Sequence, residues 1–314
     1  MDNRVICVVG PTATGKTKMG VALAKRFGGE VVSVDSMQIY RGMTIGTAAP
    51  TAEETEGIPH HMVAVADPAE SWSVARFTEQ ADRCIQDILC RGRRPVLVGG
   101  TGLYLDSILS GRTFAAGHSG GEVRRALQTE LAQGGIEPLY RQLQAIDPTA
   151  AARLHLSDEK RILRALEVFR ETGETITAHD ARTRLRPPKY RAYTIGLTFR
   201  DRADLYERID CRVDTMVGQG LLQEVEALLK SGLPETATAL QAIGYKQFLS
   251  VYRGDTPARD AVAEVKLRSR QYAKRQLTWL RRKEDIHWIL WEKTPDFPAG
   301  LQNATEYLHA QGLG

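Results

Sequence analysis

The sequence holds only four cysteines, Cys7, Cys84, Cys90 and Cys211, and no CxxC pair among them. A disulfide scaffold is excluded, and a chain of 314 residues can bury a core without staples, so the pattern predicts a reducing, cytoplasmic setting. No apolar run approaches the length of a membrane span. The first such run, residues 5–9, is too short for a signal peptide and meets a glycine loop at once, so it reads as a strand. Repeats and low-complexity tracts are also lacking. Apolar residues at 42% and charged residues at 25% exclude a disordered or collagen-like chain. Acids are missing from two places: residues 266–283 carry eight cations and residues 181–191 carry five, with no Asp or Glu in either, although the net charge is only +4. A mildly acidic body with two basic segments predicts a polyanionic partner docking at defined places.

Short, largely apolar runs at residues 5–9, 31–34, 96–98, 193–197 and 286–290 are separated by segments of helical period. That alternation predicts an α/β fold, a parallel sheet covered on both faces. Residues 113–190 read almost entirely helical, at 122–133, 138–145 and 158–171, and are predicted to be an all-helical insertion between core parts 1–112 and 191–314. Gly117, His118, Ser119, Gly120 and Gly121 mark its start, and Arg186, Pro187 and Pro188 its end. Beyond the fourth strand, Leu205, Ile209, Val213, Met216, Leu221, Val225 and Leu228 predict one long amphipathic helix.

Gly10, Pro11, Thr12, Ala13, Thr14, Gly15, Lys16 and Thr17 fit GxxxxGK[ST] between a strand and a helix. In that setting glycines let backbone amides turn around an anion and the helix N-terminus adds partial positive charge. Lys16 would meet the terminal phosphates, and the Thr17 hydroxyl could ligate Mg²⁺. Ligands of open parallel sheets sit at the C-terminal strand ends. The second strand delivers Asp35, Ser36, Met37 and Gln38 there, and the third delivers Gly99, Gly100, Thr101 and Gly102. Asp35 suits a proton acceptor, a holder of Mg²⁺ through water, or a helix cap or structural acceptor; Thr101 suits a phosphate or substrate donor, or again a cap. No strand ends in an apolar run followed by Asp-Glu, the pattern of ATP-driven motors, which leaves kinases and diphosphate-handling transferases.

His60 and His61 lack a third ligand nearby and read as structural or substrate-wall residues rather than zinc ligands. Cys84 and Cys90 read as packed thiols on a helix. Arg208 and Arg212, four apart, are either a solvated face paired with Asp204 and Glu207 or a clamp on a diphosphate. The basic run 266–283 interleaves Tyr272, Trp279 and Leu280 with cations, a pattern that suits phosphates and unpaired bases.

Taken in order, several segments resemble the tRNA dimethylallyltransferase (tRNA isopentenyltransferase) family. These are the loop of residues 10–17, Asp35 to Tyr40, Gly46-Thr47-Ala48, Gly57 to His61, Val98 to Tyr104, Arg161 to Val168 with Thr172-Gly173, Arg208-Ile209 with Arg212-Val213, Ala242 to Lys246, and Tyr272 to Arg281. The resemblance covers nearly the whole chain. It implies a P-loop, nucleotide-kinase-like core with a helical insertion that grips the anticodon stem-loop. The implied reaction moves a dimethylallyl group from dimethylallyl diphosphate to the N6 amine of the adenosine immediately 3′ of the anticodon, with Mg²⁺ assisting and pyrophosphate leaving.

By resemblance, Asp35 is the general base and Thr101 a hydroxyl near the bridging oxygen and the amine. Residues 10–17 hold the diphosphate, with Arg208 and Arg212 on its far side. Asp35, Ser36, Met37, Gln38, Thr101, Arg124, Glu159, Lys160, Arg161, Ile162, Leu163, Gly244, Lys274, Arg275, Gln276 and Trp279 are tRNA-facing. Many members have Lys where this chain has Ala49 and an Asp near Ala64, which bears on accessory contacts only. The cysteines of the zinc finger that some eukaryotic members append do not occur before Gly314, so a compact bacterial-type, monomeric cytoplasmic enzyme is expected. The competing readings are a small-molecule or nucleotide kinase, an isopentenyltransferase acting on free AMP, and a non-catalytic RNA-binding module.

Overall fold

The computed structural model describes residues 2–111, 121–184 and 187–313. The glycine cluster predicted at the start of the insertion, apart from Gly121, and Arg186 at its end lie outside them. Six strands are described: β1 (Arg4–Val9), β2 (Gly29–Val34), β3 (His60–His61), β4 (Arg94–Gly99), β5 (Arg191–Phe199) and β6 (Ile286–Trp291). They form one sheet of order β3-β2-β4-β1-β5-β6 with every pairing parallel. The helices in chain order are α1 (Lys16–Arg26), α2 (Ala52–Thr55), α3 (Val74–Cys90), α4 (Gly102–Ser110), α5 (Glu122–Gly134), α6 (Ile136–Ile146), α7 (Pro148–Ala151), α8 (Glu159–Thr172), α9 (Ile176–Arg184), α10 (Arg202–Gly218), α11 (Leu221–Lys230), α12 (Tyr245–Tyr252), α13 (Ala258–Leu280) and α14 (Phe297–Ala310). No described helix is long and apolar enough to cross a membrane. The chain divides into two units, residues 1–109 with 190–314, and residues 110–189.

In the first unit the alternation of strand side chains sorts the core into two layers. Val5, Cys7 and Val9 of β1 face a cluster with Phe77, Ile85 and Ile88 of α3 and Tyr245 and Phe248 of α12. Ile6 and Val8 face the other side, against Met19 and Leu23 of α1, Leu205 and Ile209 of α10, and Ala304 and Leu308 of α14. Both faces of β1 are buried, which is why its sequence is unbroken Val/Ile/Cys rather than alternating. The order of the strands reverses around β1, since β2 follows it on one side and β5 lies on the other. The crevice at its C-terminal end is where such sheets take ligands.

Two sequence expectations are corrected. The predicted long helix of residues 205–228 is two helices, α10 and α11, because the chain turns left-handed at Gly220 (φ +102°). The two-residue strand β3 was not predicted: two residues carry no readable period, and only the pairing of Val31 with His60 and Val32 with His61 makes them a strand.

The second unit has its own core of Leu127, Leu139, Leu143, Ile162, Leu163 and Leu166. Buried Asp147 caps α7 through the Ala150 amide (3.0 Å) and accepts from the Thr177 amide (3.0 Å) and hydroxyl (2.7 Å), tying α7 to α9. Ile162 and Leu163, expected to face tRNA, are therefore core residues, 0% and 3% exposed. Only their neighbours Glu159, Lys160 and Arg161 in the first turn of α8 are exposed. Arg124 lies 3.7 Å from the buried Glu167 carboxylate, which Arg164 also reaches at 2.9 Å.

Candidate active site

The loop of residues 10–17 leaves β1 and runs into α1 with Gly15 left-handed (φ +82°) at the cap. The Lys16 ammonium folds back to donate to the Pro11 carbonyl (2.7 Å), which also accepts from the Thr14 hydroxyl (2.9 Å). The loop is held from outside as well. Trp291 Nε1 donates to the Thr14 carbonyl (3.0 Å) and Arg208 Nε reaches the Ala13 carbonyl at 3.4 Å. Gln276 of α13 uses both ends of its amide: Oε1 accepts from the Thr12 amide (3.2 Å) and Nε2 donates to the Gly100 carbonyl (3.0 Å). The loop after β4 is glycine-rich because α13 leaves it no room. A Cβ at Gly100 would stand 2.2 Å from Gln276 Nε2, and one at Gly102 2.3 Å from the Trp279 ring.

Asp35 ends β2 half-buried. Its Oδ1 accepts from the amides of Met37 (2.8 Å) and Gln38 (3.4 Å), so the turn presents Oδ2 without a hydrogen bond from any described residue. This carboxylate and the phosphate loop share one electrostatic neighbourhood. Burial pushes the Lys16 ammonium down to about 7, the Arg212 charge pushes the same way, and the Asp35 charge opposes both. Burial likewise lowers Arg212 against the pull of Asp35 and Glu54, and Arg212 Nε is buried with no hydrogen-bond partner among the described residues. Burial raises the Tyr272 phenol, and the Asp35 charge adds to it. Tyr104 is pushed up to about 12 by burial, with Tyr40, Asp35 and Tyr272 adding to it. The Thr101 hydroxyl is buried and close enough to Tyr272 to favour the phenolate, yet no hydrogen bond of good geometry closes on it. The Asp35 charge thus acts on Lys16, Arg212, Tyr104 and Tyr272, and Thr101 acts on Tyr272. Two half-buried basic groups within electrostatic reach of one carboxylate suit an anionic ligand.

The sequence left Arg208 and Arg212 open between two readings. The structure turns both toward the loop, while Glu207 pairs with Lys293 (3.3 Å). Several other singled-out side chains are engaged within the fold. Gln276, expected to face tRNA, is buried and spends its amide on the loops after β1 and β4. The Gly244 amide is taken by Gln247 Oε1 (2.9 Å) and Gly244 is buried, leaving Lys246 as the exposed group there. The Gln38 amide is occupied by Ser33, Thr47 and Ala48. Ser36 and Met37 are half-buried. His61 binds the buried Glu30 carboxylate (2.7 Å), which Arg91 also grips, and these bonds, Arg91's first, hold Glu30 down to about 2. Cys90 is exposed rather than packed, whereas Cys84 is half-buried.

The basic run is also less free than its composition suggests. Lys266 pairs with Asp214 (2.7 Å), Arg270 with Asp210 (2.6 Å), Arg268 with Glu264 (2.6 Å) and Lys283 with Asp106. Lys274 and Arg275 instead line an open hollow of about 410 Å³ with Gln271, Thr278 and Trp279, at helical spacing on α13, and Arg282 just past its end completes it. The acids that neutralise the run lie on α10, α4 and one turn back on α13, outside the window in which none was found.

The model of the IPP transferase family matches residues 38–283, and that of isopentenyl transferase matches residues 3–64. The chain is 42% identical over 313 residues to the tRNA dimethylallyltransferase of Acetivibrio thermocellus, covering 100% of this chain and 99% of that one. It is 44% identical over 286 residues to that of Geobacter metallireducens, covering 91% and 92%. Among solved structures, the tRNA isopentenylpyrophosphate transferase of Bacillus halodurans aligns with a TM-score of 0.71 at 39% identity, covering 99% of this chain and 100% of that one. A eukaryotic dimethylallyltransferase acting on tRNA aligns with a TM-score of 0.81 at 30% identity, covering 97% of this chain and 77% of that one. A six-stranded parallel sheet with the phosphate loop at its centre, and relatives that match from end to end, make this chain a member of the tRNA dimethylallyltransferase family.

Proposed function

We infer that this chain transfers a dimethylallyl group from dimethylallyl diphosphate to the N6 amine of the adenosine immediately 3′ of the anticodon of tRNA. The observation that carries this reading is the Asp35 carboxylate held in the turn after β2, its charge acting on the half-buried Lys16 and Arg212. The allylic C–O bond breaks as charge collects on the departing pyrophosphate. Lys16, Arg212, Arg208 and the free amides of residues 10–17 stabilise that charge; the Thr12 amide is already bonded to Gln276. The C–N bond forms from the amine, and its proton passes to Asp35. Thr101 donates toward the bridging oxygen. The base leaves its stack to reach this space, which requires grip on the surrounding loop and stem. The work is done by a monomer in the cytoplasm.

Mg²⁺ fits as a phosphate-borne ion rather than a caged one. No group of three or more His, Cys, Asp or Glu that could hold a metal occurs among the described residues, and the Thr17 hydroxyl at the start of α1 has no hydrogen bond from any of them. Thr17 would be its protein ligand, and when bound the ion supplies charge to the leaving diphosphate.

Mass spectrometry of an anticodon stem-loop incubated with dimethylallyl diphosphate and Mg²⁺ tests the reading. The stem-loop is expected to gain one dimethylallyl mass while free AMP does not, and transfer of phosphate from ATP instead would establish the kinase reading. The hollow on α13 makes a further expectation. Lys274→Ala with Arg275→Ala should flatten the salt dependence of stem-loop binding by about 0.7–0.9 in logarithmic slope per lost phosphate contact. Arg268→Ala with Arg270→Ala, whose cations are already paired, should change it little.

A further inference from the structure

The sequence contains two segments that the chemistry above leaves unused, Gly46-Thr47-Ala48 and Ala242 to Lys246. In the fold both close on one carboxylate, Glu224 of α11. Glu224 Oε2 accepts from the Thr44 amide (2.8 Å), the Thr44 hydroxyl (2.9 Å) and the Ile45 amide (2.8 Å). Oε1 accepts from the Gly46 amide (3.0 Å) and the Tyr245 hydroxyl (2.5 Å). Five donors on one half-buried carboxylate are more than a helix side chain needs for its own satisfaction. They wind residues 44–46 around it. Gly46 packs flat on Tyr245, since a Cβ there would stand 2.5 Å from the ring.

The winding has a direction. It turns the carbonyls of Thr47 and Ala48 toward the end of β2, where Gln38 Nε2 donates to both (3.3 and 3.0 Å). The other end of the Gln38 amide accepts from the Ser33 hydroxyl (2.8 Å). Gln38 is the last residue of the turn whose own amide closes on Asp35 Oδ1 (3.4 Å). Hydrogen bonds joined by short stretches of backbone therefore link Tyr245 and Glu224, through residues 44–48 and Gln38, to the turn that carries Asp35.

We propose that Glu224, with Tyr245, is a positioning residue for transfer: it fixes the orientation of Asp35 through Gln38 without touching substrate. This rests on the reading of Asp35 as the base. A carboxylate held in a turn by one strong and one long hydrogen bond is free to swing unless the turn is anchored behind it. A displacement of about 1 Å in a reacting group costs on the order of a hundredfold in rate.

The test is single-turnover transfer with saturating dimethylallyl diphosphate and stem-loop, alongside the affinities of both. Glu224→Gln and Gln38→Leu should each slow the transfer step about ten- to a hundredfold while both affinities stay near those of the parent. The double variant should be no slower than the slower single one, because both cut the same chain. A parental rate in folded Glu224→Gln, or losses that multiply in the double variant, would overturn the proposal. Tyr245→Phe removes one donor of five. If Glu224→Gln does not fold, this variant takes its place, with a smaller slowing expected and the same non-additivity with Gln38→Leu. Asp35→Asn separates the two levels: a fast Asp35→Asn refutes the base and with it the relay, whereas a slow Asp35→Asn beside a parental Glu224→Gln refutes the relay alone.

Discussion

Asp35→Ala is expected to slow single-turnover transfer by about two to four orders of magnitude, with stem-loop affinity largely retained. The exocyclic amine of adenine is a poor nucleophile, and its proton must leave as the new bond forms. Asp35 is the acceptor at the strand end, with Oδ1 committed to the turn and Oδ2 free of hydrogen bonds from described residues. The variant has a second effect with a definite sign. The Asp35 charge favours the protonated forms of Lys16 and Arg212, so removing it lowers the pKa of Lys16 further. Donor affinity measured above pH 7 should therefore fall modestly in Asp35→Ala, although Asp35 lies on the acceptor side of the reaction. A transfer rate within a few-fold of the parent would exclude Asp35 as the base.

Lys16→Met is expected to weaken dimethylallyl diphosphate binding about ten- to a hundredfold, the range set by losing a charged hydrogen-bond donor of about 1.5–3 kcal/mol. The parent protein should also take up protons on binding. With its pKa pushed to about 7 by burial and Arg212, Lys16 is largely neutral in the empty site above that pH. A bound diphosphate favours the ammonium and raises the pKa, so affinity should fall as pH rises above about 7 and be insensitive to this group below it. Calorimetry in buffers of different ionisation enthalpy reads the uptake directly, and Lys16→Met should abolish it. In the empty protein the same shift makes stability rise with pH between about 7 and the unfolded value of 10.5, because the unfolded chain then holds the extra proton. Unchanged proton uptake in Lys16→Met would place the titrating group elsewhere.

Much of this was legible in the sequence because it is written in local spacing. Largely apolar runs mark β1, β2, β4, β5 and the edge strand β6, since parallel strands buried on both faces need no polar alternation. The GxxxxGK[ST] loop and the residues after β2 and β4 sit at strand ends by topology alone, and the structure gathers them there. What escaped is carried by long-range side-chain bonds. Nothing near Gln276 in the chain reveals that its amide spans Thr12 and Gly100, and nothing near Glu224 reveals residues 44–46. The motif segment around Ile162 and Leu163 mixes exposed and buried residues within one helical turn, and a motif read as a block cannot divide them. The acid-free run of residues 266–283 misled for the converse reason, because its neutralising acids come mostly from other helices.

The Gln276 amide and the Trp291 indole fasten a loop made of residues 10–17. During synthesis on a ribosome, the loop emerges long before the two residues that fasten it. A half-made chain therefore carries the loop without the side chains that fasten it, and the loop gains its outside hold only once both α13 and β6 have been made.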